Sequence, residues 1–159
     1  MKRQIRSSVF ETNSSSVHSL TIAPNGRKRN RIHIDNEGYL AAHFGSFGCS
    51  GKFFSQSEKL SYLVTSLWYA VGCPEYLDDL YRSYAWEHLE DAVKEYVPEC
   101  KGVRIRDYHY RDDDYEAAPY IDHQSVPDSE WDMIIDMYDK DAVIDFIWND
   151  NVGLKCCRD

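Results

Sequence analysis

The chain has 159 residues, of which 43% are hydrophobic and 14% aromatic, and its net charge is −9. That length suits one domain, 1–159, with a real core, and the aromatic content excludes a disordered chain. No apolar run approaches the roughly 20 residues that cross a bilayer, and the basic start "MKRQIRSSVF" lacks the apolar stretch of a secretory signal, so no membrane partner is expected.

In chain order, residues 2–10 and 16–23 read as strands around the Asn-Ser-Ser turn of "FETNSSSVHSL". In the second of them Val17, Ser19 and Thr21 oppose His18, Leu20 and Ile22. "PNGRK" (24–28) is a turn, and "RIHID" (31–35) and "GYLAAHF" (38–44) complete an expected four-strand meander. "GSFGCSGK" (45–52) reads as a mobile glycine-rich loop. It fails the P-loop pattern because Ser46 and Phe53 stand where glycine and Ser/Thr belong, which leaves phosphate binding a minor option. A helix follows over 56–71, with Ser55 and Glu58 as a capping box and Gly72 and Pro74 as its stop. Residues 75–97 form one helix or two, closed by Pro98. "GVRIRDYHY" (102–110) returns to strand, "RDDDYEAAP" (111–119) is a charged loop, and "YIDHQS" (120–125) is a short strand. Two short helices over 128–139 and 139–149 and a last strand over 152–157 end the chain. The fold class is α+β: an N-terminal antiparallel meander packed against a helical middle, with further strands and short helices at the C-terminus.

Charge is unevenly spread. Residues 1–34 carry seven Lys/Arg against one acid, a net of +6, and residues 35–159 carry eleven against 26, a net of −15. An acidic body repels phosphates and attracts basic protein surfaces, so direct nucleic-acid binding is disfavoured and a protein partner favoured, although solubility alone also explains acidity. The five cysteines form no CxxC pair and read as reduced thiols of a cytoplasmic protein.

Four stretches bear on chemistry. In "NSSSVH", Asn13, Ser14, Ser15 and Ser16 either bond their own backbone as a turn or offer hydroxyls and N–H groups to an anion, with His18 as general base. A serine nucleophile there requires the imidazole within hydrogen-bond reach. In "YIDHQS", Asp122, His123 and Ser125 stand at a strand end, either as a polar turn or as part of a site. Five histidines (His18, His33, His43, His109, His123) with Asp122 lack the spacing of known metal motifs, so no metal site and no cofactor is assigned. The run at Asp112, Asp113 and Asp114 is either a solvated loop or a contact for a basic partner.

The stretches Phe10–Ser19, Asp122–Ser125 and 145–157 together resemble a group of small phage and prophage proteins of Gram-positive bacteria. These open with F-E-T-N-S-S-S-x-H-S, and several carry a D-H-Q-S element. The resemblance implies phage origin, the bacterial cytoplasm, and a site shared by Asn13, Ser14, Ser15, His18, Asp122 and His123, but no reaction. Two functions fit. One is a phage-encoded acidic accessory protein that inhibits or modulates a host protein, such as a defence nuclease, in the manner of an anti-restriction or anti-CRISPR protein. The other is a small enzyme or nucleotide-binding protein built on the two motifs.

Overall fold

The protein is described by a computed structural model over residues 16–22, 31–48, 50–106, 119–122 and 125–158, with main chain alone for residues 16, 17, 157 and 158. The expected strand 2–10, the turns at 13–15 and 24–28, and the loop 111–118 lie outside the described residues.

Helix α1 (Gln56–Ala70) is encoded at both ends. The Ser55 hydroxyl accepts from the Glu58 amide, and the Glu58 carboxylate accepts from the Ser55 amide, at 3.2 and 3.1 Å. At the far end the Gly72 amide donates to the Tyr69 carbonyl and the Cys73 amide to the Trp68 carbonyl, the paired bonds of a Schellman stop. Gly72 takes the positive φ of +87° that this stop requires. Replacing Ser55 with Ala removes the cap, and we expect a loss of about 1 kcal/mol in chemical denaturation.

The next helical stretch divides. Helix α2 (Leu77–Tyr81) ends before Ser83, which caps helix α3 (Tyr84–Tyr96) by accepting from the Trp86 amide. Helix α4 (Lys140–Trp148) starts at Asp139, whose side chain accepts from the Ala142 amide. Leu60, Leu63, Val64 and Leu67 of α1 pack with Trp86, Leu89 and Val93 of α3 and Val143, Phe146 and Ile147 of α4 in one contiguous core. Each such side chain contributes roughly 1.5–3 kcal/mol by leaving water.

The class is α+β, as the sequence indicates, but the described strands pair differently from a meander. Strand β1 (Ser16–Ile22) lies antiparallel to β7 (Val152–Arg158), with His18 opposite Cys156. Strand β4 (Gly51–Phe53) flanks β7 on the other side, giving the order β1-β7-β4. Strand β2 (Leu40–Ala42) pairs in parallel with β5 (Val103–Ile105), and β3 (Ser46–Phe47) in parallel with β6 (Tyr120–Ile121). Residues 31–35 form a single bridge, Ile34 to Leu40, rather than a strand. There the Arg106 guanidinium binds Asp35, and the Tyr39 amide followed by that guanidinium holds the Asp35 carboxyl down to about 2.

Two further expectations are corrected. The glycine stretch 45–52 is not a loose loop, because Phe47 is buried against the rings of Phe53 and Tyr62 and draws the chain into β3 and β4. Residues 128–139 hold only one 3-10 turn, Glu130–Asp132. Beyond it residues 133–138 run through bends and a turn in place of a helix, and Met133, Ile135 and Met137 are all buried.

Candidate functional site

Among the described strands β1 lies at the end of its sheet, and exposure rises along the face of His18, from a half-buried His18 to Leu20 at 38% and Ile22 at 76%. His18 sits where this strand meets α1, the β3–β4 connection and the turn after β6. Its Nε2 lies 3.1 Å from the Gly48 carbonyl and its Nδ1 lies 3.3 Å from the Tyr62 hydroxyl. A carbonyl can only accept, so Nε2 carries the proton, and in the neutral ring Nδ1 accepts from Tyr62. Burial is the main cause that lowers the His18 pKa, while the Gly48 carbonyl and the nearby charge of Asp122 oppose it. Burial likewise raises the pKa of Tyr62 far above that of a free phenol, which keeps its hydroxyl protonated as a donor.

The turn after β6 meets the same point. Asp122 is buried, and its amide donates to the Phe47 carbonyl at 2.9 Å. The Ser125 amide donates to the Asp122 carbonyl at 2.8 Å, and the Ser125 hydroxyl accepts from the His18 amide at 3.3 Å. His18, Asp122 and Ser125 are thus brought together. Ser125, however, meets the main chain of His18 and not its ring, whose two nitrogens are bound to Gly48 and Tyr62. A base poised to take a proton from a serine needs a ring nitrogen aimed at that hydroxyl. Here the histidine instead ties four segments of the fold to one another.

Asn13, Ser14, Ser15, His123 and the triad Asp112, Asp113 and Asp114 lie outside the described residues, as does the side chain of Ser16. His33 and His43 are both exposed. Among the described residues no three His, Cys, Asp or Glu side chains gather as a metal ion would need.

Three features escape sequence reading. Tyr62 falls off the apolar stripe that the helix pattern picks out, so nothing local marks it as the partner of His18. Lys59, on α1, is fully buried, with its ammonium donating to the carbonyls of Asn149 and Val152 at 2.8 and 3.0 Å. A lysine in a helix ordinarily points to water, and only the tertiary fold places it under the end of α4. The third is an acidic stretch other than the one at 112–114. Residues 128–150 hold eight carboxylates (Asp128, Glu130, Asp132, Asp136, Asp139, Asp141, Asp145, Asp150) against Lys140 alone, a net of −7. Asp128, Asp132, Asp136, Asp139 and Asp141 are exposed, and so is Trp131 among them.

No family model, curated protein or solved structure matches this chain. Among the described residues no helix is long and apolar enough to cross a membrane.

Proposed function

We propose that the chain is a phage-encoded accessory protein that binds a host protein in the bacterial cytoplasm and modulates or inhibits it. The observation that supports this reading is the outward carboxylate stretch 128–150 around an exposed tryptophan. Carboxylates spread over an acidic body steer the molecule toward basic protein surfaces, and they compete with the phosphates that such surfaces are built to hold. Host nucleases and other nucleic-acid-handling proteins present such basic faces, so an anti-restriction or anti-CRISPR role fits the same chemistry.

The test is retention of host proteins by the immobilised chain at low and high salt. Reversing Asp128, Asp132 and Asp136 to Lys is expected to cut retention at least tenfold at low salt with little change in melting temperature, because all three are exposed and the relieved repulsion among the carboxylates offsets the bonds that Asp132 and Asp136 accept from Ser129 and Tyr138. The same change at Asp112, Asp113 and Asp114 tests the acidic run earlier in the chain. If both triple variants hold the partner as the parent does, the acidic surface is not the interface.

One observation favours the second reading, an enzyme or nucleotide-binding protein: His18, Asp122 and Ser125 converge, and Ser14 and Ser15 directly precede β1. It requires His18 to exchange its bonds to Gly48 and Tyr62 for contacts with a ligand.

A further inference from the structure

Trp131 is 69% exposed, yet it is held in place. Its ring stacks on Tyr138 with centroids 4.5 Å apart and planes at 22°. Tyr138 in turn rests against the edge of His88 at 4.7 Å and beside Tyr84 at 5.8 Å, at the start of α3. One indole face is covered by Tyr138, and exposure of this extent leaves the other to solvent. Three carboxylates of the same segment are also fixed. The Tyr138 hydroxyl donates to Glu130 Oε2, the Ser129 hydroxyl to Asp132 Oδ2 at 2.9 Å, and the Tyr138 amide to Asp136 Oδ1 at 3.0 Å. Each carboxylate keeps its second oxygen without a partner among the described residues. Lys140, the one cation of this stretch, is turned to Asp91 and Glu95 instead.

Resting on the binding reading above, we infer that this platform takes an arginine side chain of the protein partner, with the guanidinium stacked on the outer face of Trp131 and its N–H groups on the oriented carboxylates. A guanidinium is flat, weakly hydrated and forked, which suits an open indole face beside carboxylates. An ammonium matches the charge but cannot stack, and no three-ligand cluster for a metal ion is present among the described residues. The rings and carboxylates are set before the partner arrives, so little ordering entropy is lost on binding.

The probe is a short unstructured peptide with two arginines, compared with its lysine counterpart, each titrated against the full chain. The reporter is the indole N–H resonance of Trp131, assigned with Trp131→Phe. We expect the arginine peptide to shift that resonance and to bind at least fivefold tighter than the lysine peptide. Trp131→Ala should weaken the arginine peptide at least tenfold and the lysine peptide less than twofold. Glu130→Gln, which retains the shape, should weaken the arginine peptide severalfold. Equal affinity for the two peptides, or an arginine affinity untouched by Trp131→Ala, overturns the inference. Trp131-dependent self-association in sedimentation also overturns it, since the occupant would then be a second copy of this chain. If arginine preference is absent while the Asp128, Asp132 and Asp136 reversal still abolishes host-protein retention, the binding reading stands and the platform falls. If the peptides behave as expected and no host protein is retained, the platform stands and the binding reading fails.

Discussion

Lys59→Met is expected to lower the stability of the fold by about 3 kcal/mol, the largest effect of any single substitution considered. Methionine fills a similar volume, so the change isolates the polar part of the interaction. Removing the ammonium takes a charged donor from the part-buried carbonyls of Asn149 and Val152, of which Asn149 still accepts from the Val152 amide, and bonds to a charged group contribute roughly 1.5–3 kcal/mol. Asn149 is the C-terminal cap of α4, so the helix also loses a cation at the negative end of its dipole, which contributes up to about 2 kcal/mol in partly buried settings. Against these stands the relieved cost of burying a charge, which is why the net falls below their sum. Gly153 adds to the constraint. A Cβ built on it would lie 2.2 Å from the ring of Phe54, so the start of β7 cannot shift toward that ring to find new partners. Urea denaturation measures the loss, and at this chain length the melting temperature should drop by roughly 6–12 °C. A loss under 1 kcal/mol would mean that the two carbonyls find water or other donors.

His18→Ala is expected to cost about 2 kcal/mol, because it removes the ring that serves both Tyr62 and Gly48 and leaves a gap beside buried aromatic side chains. The same histidine makes stability depend on pH. Its folded-state pKa is lowered, so the unfolded chain binds more protons than the folded one below neutrality. The contribution of His18 is therefore fully present above the free-imidazole value of about 6.5 and is lost as pH falls through the lower folded value. A protonated ring would also present two donors, and Nδ1 could no longer accept from Tyr62. Thermal melts of the parent and of His18→Ala from pH 7.5 to 5 should converge as the pH drops. If the two curves stay parallel, the burial of His18 is not what couples folding to protons in this range.

What the sequence reveals here divides by distance along the chain. Helix α1 is legible because all its signals are local: Ser55 and Glu58 are three residues apart, the apolar residues recur at helical spacing, and Gly72 stops it. The partner of β1 is not legible, because alternation in residues 16–22 shows a strand but not that its neighbour is 152–158. The residues after Trp131 mislead because the apolar Met133, Ile134, Ile135 and Met137 suit a short helix, whereas the chain buries Met133, Ile135 and Met137 through bends and a turn. In the glycine stretch Phe47 is the signal for order, since a large aromatic side chain there belongs in the core. For the candidate site, the meeting of His18 with residues 122–125 follows in the sequence only from the resemblance to the phage protein group and from the tendency of polar residues at strand ends to gather at sites. The part of the site that gives His18 its character, Tyr62 and the Gly48 carbonyl, comes from two other segments, and no spacing announces them.

On the proposed function this chain works through its acidic surface, with His18 as a structural tie. One paired measurement addresses it: host-protein retention per folded molecule, alongside melting temperature, for His18→Ala and for the Asp128, Asp132 and Asp136 reversal to Lys. We expect His18→Ala to melt several degrees lower yet retain the partner fully once corrected for folded protein, and the charge reversal to melt like the parent and lose the partner. An undiminished melting temperature with lost retention in His18→Ala, together with full retention in the charge-reversed chain, would contradict this proposal and place the function at the junction of His18, Asp122 and Ser125.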